Sequence, residues 1–368
     1  MIPEHCFNKK WIESFKKQKE HKSIQVGILE RMIYAFHLLE RLQNKGLQFV
    51  FKGGTSLVLL LDKGTLFSID IDIICQTKRE ELEKLLNEVI EDSRFTGYEL
   101  DEHRSYKPGI PKAHYKFEFD SAVNPAVQGG ILLDILLEES IYPETVECEI
   151  DTKWVEETSG ITVTTPSIPA ITGYKLSAFA PNTIGIPYFK GTHDSSTEIC
   201  KQLYDLGRLF DQVTDMAVIE KSFKRHAEQE IGYRKGGDKE NSISIEDVLN
   251  DTIETCLTIA RREKNPTKES KENFKRLEKG IRSFGAGYLM VGHFRIEDAL
   301  SASARVAHLA AKILTGDTSP VKHYDSRGVK ELMIEYESLV HLNKMKKQPD
   351  KSIFYYWHLT ARLLANNT

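Results

Sequence analysis

Apolar positions recur with a helical period over residues 23–44, where Ile24, Ile33, Phe36, Leu39 and Leu42 fall near one face and Gly46 follows as a stop. LQFVFK, 47–52, reads as a short strand that ends in Gly53 and Gly54. TSLVLLL then opens a buried helix that Thr55 or Ser56 can cap. Ser68–Cys75 alternates strictly through Ile73, which is a strand pattern. Residues 78–92 place Leu82, Leu85, Leu86 and Val89 on one face of a helix.

Strand-like runs follow at Tyr98–Arg104, His114–Phe119, Ile131–Leu137, Val146–Ile150 and Ile161–Thr164, punctuated by prolines and glycines such as Pro108, Gly109, Gly129 and Pro143. Pro169–Phe179 is predicted as a helix carrying Lys175. A connection rich in Pro and Gly, 181–196, leads to a helix over Thr197–Phe210. From about 211 the pattern is almost wholly helical, with polar breaks at 234–242 and 262–273 and a last helix near Lys351–Leu364. The expected fold class is α+β. A mixed sheet flanked by helices occupies 1–210, and a helical C-terminal domain occupies 211–368.

Composition removes several classes. The 368 residues are 40% apolar and 28% charged, which excludes wholesale disorder. No run of about 18 uncharged apolar residues exists, so no membrane span is expected. MIPEHCFNKKWIESFKK lacks an apolar signal core, which points to the cytoplasm. Cys6, Cys75, Cys148, Cys200 and Cys256 are odd in number and scattered, without C-x-x-C spacing. They read as reduced thiols, neither a disulfide framework nor a zinc site. A net charge of -4 excludes a strongly basic nucleic-acid binder. Residues 211–368 carry 26 Lys+Arg against 23 Asp+Glu, and 1–210 carry 24 against 31. The acidic first part suits a metal-dependent site. The mildly basic remainder suits either a polyanion or an ordinary solvated surface.

The chemistry concentrates in Lys52–Ile74. In a strand, side chains repeat every two residues, so Asp70 and Asp72 share one face while Ile69, Ile71 and Ile73 share the other. Neighbouring carboxylates repel, and a divalent cation compensates them with the hard oxygen coordination that Mg²⁺ (or Mn²⁺) prefers. Gly53 and Gly54 let backbone approach phosphate oxygens, the next helix start offers free N–H groups, and the Thr55 and Ser56 hydroxyls can add hydrogen bonds. Asp134 sits inside the apolar run GGILLDILLEE. If its strand neighbours the first, it completes a carboxylate triad and can accept a proton from an attacking hydroxyl. Lys52, beside the glycines, reads as an exposed strand-end lysine, with contact to phosphate as the alternative. The aromatic run Phe354–Trp357 reads as core packing or as a surface for stacking on RNA bases.

The order G-G-T, then D-x-D, then a distant Asp on another strand resembles the polymerase-beta-like nucleotidyltransferase superfamily. The longer pattern KGGTSLVLLL…FSIDIDII, then YKLSAFAP, then KQLYDLGRLF is similar to the AbiEii/AbiGii toxin family over roughly residues 25–215. The resemblance implies a nucleotidyltransferase-type sheet. It matches Gly53, Gly54 and Thr55 to the phosphate-binding turn, Ser68 to a nucleotide-site hydroxyl, and Asp70 and Asp72 to metal carboxylates. It matches Lys175 to a lysine on the nucleotide triphosphate and Asp205 to a downstream site aspartate. Two departures stand out: Lys201-Gln202 precedes Leu203-Tyr204-Asp205 where many relatives carry a charged pair, and the loop 181–196 lengthens the gap from Lys175. The implied activity is transfer of NMP from an NTP to an acceptor hydroxyl, with RNA such as tRNA as acceptor, by the toxin of a toxin–antitoxin or phage-defence system. The implied partner is an antitoxin that acts as a transcriptional repressor. The competing readings are transfer to a small molecule or protein, and a non-catalytic RNA-binding module.

Overall fold

The computed structural model describes residues 1–17, 24–61, 68–105, 110–156, 158–235, 243–289, 292–326 and 328–367. Most of the expected break at 234–242 therefore lies outside the described residues. The chain forms two compact units, Met1–Ser167 with Tyr288–Gly292, and Ile168–Gly287 with His293–Thr368.

The first unit contains helices α1 (Lys9–Ser14), α2 (Val26–Asn44), α3 (Gly53–Leu60), α4 (Arg79–Glu91) and α5 (Glu102–Ser105). Its strands are β1 (Val50–Lys52), β2 (Ile71–Ile74), β3 (Gly97–Leu100), β4 (Lys112–Asp120), β5 (Gln128–Leu136), β6 (Thr145–Glu149) and β7 (Thr162–Pro166). Five of them form one sheet in the order β1-β2-β5-β4-β3, with β2 and β5 parallel and the other pairs antiparallel. β6 and β7 pair separately. The sheet is sided as its alternation demands. Ile71, Ile73, Leu133, Ile135, Phe117 and Phe119 are buried with Ile33 and Phe36 of α2 and Leu82 and Leu86 of α4 in one core. The opposite face is mixed, with half-buried Lys52, Asp72, His114 and Asp134 beside apolar Val50, Ile74, Leu132 and Leu136. α2 ends where Gly46 takes φ +81°, a left-handed conformation that costs a glycine little.

The second unit is helical: α6 (Ile168–Ala178), α7 (Ser196–Leu209), α8 (Met216–Lys235), α9 (Ile245–Arg261), α10 (Lys268–Gly287), α11 (Ile296–Leu314) and α12 (Ser352–Ala365). A two-residue hairpin, β8 (Phe189–Lys190) with β9 (His193–Asp194), lies in the 181–196 connection. Phe354, Tyr356 and Trp357 are buried, as core packing requires. No helix among the described residues is long and apolar enough to cross a membrane.

Three local expectations change. The strand expected over Tyr98–Arg104 stops at Leu100, and α5 takes its end. The Ser68–Cys75 strand shortens to Ile71–Ile74 because Ser68–Asp70 are tied to α3 rather than to a neighbouring strand. The break expected through 273 closes at Lys268, where α10 begins. The compact units also divide at Ser167–Ile168 and not at 210. α6 packs on α8, with Ser222 Oγ donating to the Ala170 carbonyl at 2.5 Å, so the two helices before 210 share a core with those after it.

Candidate active site

A row of charged and polar side chains crosses the mixed face of the first sheet. Lys52 of β1 is in register with Asp72 of β2, Asp72 with Asp134 of β5, and Asp134 with His114 of β4. Four strands thus bring together residues from four separate stretches of chain. Parallel pairing of β2 with β5 answers the condition on Asp134: it stands beside the D-x-D strand, on the same face as Asp72.

Asp134 is gripped from the side away from Asp72. His114 Nδ1 lies 2.6 Å from Oδ1, and Arg104 Nη2 donates to Oδ2 at 3.2 Å. Burial pushes the Asp134 carboxyl up. The His114 hydrogen bond and charge, with Arg104 and Lys52, outweigh it and hold the group below the usual carboxylate range. Asp134 is therefore an anion at neutral pH. Asp70, Asp72 and Asp134 do not form a trio of donor atoms within 4.8 Å of one another.

The glycine turn sits directly on Asp72. Gly53 has φ +81°, and a Cβ there would lie 2.2 Å from Asp72 Oδ2 and 2.9 Å from its Cγ. The absent side chain is the space that the carboxylate occupies. The next residue pair locks this turn to the D-x-D segment. Thr55 Oγ1 donates to the Asp70 carbonyl at 2.6 Å and lies 2.8 Å from Ser68 Oγ. Both hydroxyl residues are buried, so they act here as a clasp that holds the Asp70 segment against α3. Ser56 Oγ donates back to the Gly53 carbonyl at 3.0 Å. Gly54 follows as the second residue of α3.

Lys175 and Asp205 belong to the second unit, on α6 and α7. They meet each other: Lys175 Nζ donates to Asp205 Oδ2 at 2.7 Å and to Gln202 Oε1 at 3.1 Å. Both are buried, at 2% and 0% exposure, and Asp205 Oδ1 has no hydrogen-bond partner among the described residues. Gln202, half of the departure from the family pattern, is thus a ligand of the lysine.

His114 and Arg104 were missed in the sequence, and Lys52 was misplaced: it is half-buried beside Asp72, not exposed. Nothing local signals His114, because its partner is 20 positions away on another strand.

The donor chemistry fits a divalent cation. Asp70 and Asp72 lie two positions apart and half-buried, a third carboxylate adjoins in register, and Gly53, lacking a Cβ, makes room for the Asp72 carboxylate.

The family model of the nucleotidyl transferase AbiEii toxin, type IV TA system, matches residues 37–287. The chain belongs to this family. It is a nucleotidyltransferase toxin, and a type IV toxin–antitoxin family implies an antitoxin partner. A search among curated proteins returns no match. Among solved structures, the chain is similar to MenT4, a nucleotidyltransferase toxin from Mycobacterium tuberculosis H37Rv, at 16% identity over 85% of this chain and 99% of that one, with a TM-score of 0.43. It is also similar to JHP933 from Helicobacter pylori, at 14% identity over 86% and 94%, with a TM-score of 0.38.

Proposed function

We propose that this toxin transfers NMP from an NTP to a hydroxyl of an RNA acceptor such as tRNA, with Mg²⁺ or Mn²⁺ held by Asp70, Asp72 and Asp134. The observation that carries the reading is the register of Asp72 with Asp134, beside a glycine whose missing Cβ leaves the Asp72 carboxylate its place. The bound cation would supply charge neutralisation for the triphosphate.

The chain's own residues do the rest by positioning. The Gly53–Gly54 turn presents backbone at the start of α3, where free N–H groups suit phosphate oxygens. The Thr55–Ser68 clasp fixes the Asp70 segment relative to that turn. Lys52, next to Asp72 in register, places a cation at the edge of the acidic pair. Asp134, kept ionised by His114 and Arg104, is poised to accept the proton of the attacking hydroxyl. In-line attack on the α-phosphorus forms the new P–O bond as the bond to pyrophosphate breaks. Within the second unit, the buried Lys175–Asp205 pair ties α6 to α7.

The setting we propose is growth inhibition in the cytoplasm, relieved by an antitoxin that represses transcription, in a toxin–antitoxin or phage-defence role; membership of a type IV toxin–antitoxin family supports the antitoxin. The test incubates full-length protein with each labelled NTP and separate pools of tRNA, protein and small acceptors. Label is expected in the RNA pool, to require added Mg²⁺ or Mn²⁺ after chelation, and to drop on the order of 10²–10³-fold or more in Asp72→Asn. Label in protein or small molecules instead would overturn the acceptor, and undiminished transfer by Asp72→Asn would overturn the carboxylate assignment.

A further inference from the structure

We propose that His5, Cys6 and Glu156 form a zinc-binding site, separate from the aspartate row, that ties the amino-terminal segment to the segment around Glu156. His5 Nε2 lies 2.9 Å from Glu156 Oε2, and the donor atoms of all three residues fall within 4.8 Å of one another. Among the described residues no other group of three His, Cys, Asp or Glu donors meets that spacing.

The donor set selects the metal. Imidazole nitrogen, thiolate and carboxylate are ligands that Zn²⁺ takes together, whereas Mg²⁺ does not choose a thiolate. One thiolate and one carboxylate balance a divalent charge. Tetrahedral zinc holds its ligand atoms roughly 3.3–3.8 Å apart, so the trio closes with shifts of about 1 Å. The side chains that must turn, His5 and Glu156, are 52% and 57% exposed and would exchange their mutual contact for the metal. That exposure also provides an entry path and room for water as the fourth ligand.

Cys6 is the fixed point. It is fully buried. On metal binding the Zn–S bond would form as the thiol proton leaves to solvent. Both chain segments are already anchored. Cys6 N–H donates to the Pro3 carbonyl at 3.0 Å, and Ile2 N–H donates to the buried Glu40 carboxylate at 2.8 Å. Opposite them, Thr152 and Val155 form a β-bridge, and Trp154 N–H donates to Thr152 Oγ1 at 3.1 Å. A preorganised scaffold of this kind is what a metal site needs from its surroundings. Adjacent ligands at 5 and 6 with a third 150 positions on make no spacing motif, so the reading of scattered structural thiols was the expected one.

The test titrates metal-free full-length protein with Co²⁺ in excess Mg²⁺, so that the aspartates do not compete. One equivalent is expected to give tetrahedral visible bands and a thiolate-to-cobalt charge-transfer band in the near ultraviolet, both erased by Zn²⁺. Cys6→Ser should abolish the charge-transfer band. His5→Ala and Glu156→Gln, at exposed positions that leave the core untouched, should each weaken Co²⁺ binding at least about tenfold with unchanged circular dichroism. The absence of a charge-transfer band in the native protein, or its survival in Cys6→Ser, would overturn the site.

Discussion

Replacing Gly53 by alanine separates the site's geometry from its stability. Two costs arise. The backbone there has φ +81°, which alanine adopts at about 1–2 kcal/mol. The added Cβ would also lie 2.2 Å from Asp72 Oδ2, well inside an ordinary contact of about 3.5 Å, so something moves by about 1 Å. Asp72 is the cheapest mover, because a carboxylate rotates while the β1–α3 backbone is held by sheet and helix hydrogen bonds. Stability should therefore fall only by the strain, or roughly 2–8 °C in melting temperature for a unit of this size. Transfer should fall by about 10²-fold, the order expected when a positioning group is misplaced by about 1 Å. Gly46→Ala is the control. Gly46 also has φ +81°, but nothing lies within 4 Å of the place its methyl group would take, so it carries the strain without the clash. The assays are labelled-NTP transfer at saturating Mg²⁺ and thermal unfolding by circular dichroism. If Gly53→Ala and Gly46→Ala lose stability equally and transfer at equal rates, the placement of Asp72 by the glycine turn has no catalytic meaning and the reasoning fails.

His114→Ala should cut transfer about 10–100-fold, since it removes the group that orients and charges Asp134; a rate within twofold of native would assign His114 to structure alone. Lys175→Met leaves a buried Asp205 unpaired and should cost about 3–5 kcal/mol in urea unfolding, while Lys175→Met with Asp205→Leu should recover most of it. An unshifted midpoint in the single variant would show the pair to be solvated. Burial, then the Lys312 charge, drives His308 down to about 3, so it is neutral in the fold. Between pH 6.5 and 3 only the unfolded chain binds that proton, so stability is intact above pH 6.5 and falls by about 1.4 kcal/mol per pH unit below it. Urea midpoints at pH 7 and pH 5 should converge in His308→Gln, and an unchanged pH slope there would reject His308 as the source.

Much of the site was legible in one stretch of chain. Ile69, Ile71 and Ile73 alternate with Asp70 and Asp72, and that period of two assigns the faces before any strand is paired. The helix boundaries of α4 and α7 lie within a residue or two of the periodic pattern for the same reason: amphipathic repeats are local. The expected boundary at 210 and the compact-unit division at Ser167–Ile168 differ because α6 and α7 pack with the helices that follow them, which no local pattern announces.

Alternation, the glycine pair and the isolated Asp134 are properties of the sequence, because each depends on residues a few positions apart. The sequence also carried the family pattern. The row Lys52–Asp72–Asp134–His114 is a tertiary fact. Hydrophobic patterning tells each strand which face to bury but not which strand to lie beside, and a shift of register by one residue would have turned Asp134 away from Asp72. The same holds for Cys6 and Glu156, which the chain separates and the fold joins.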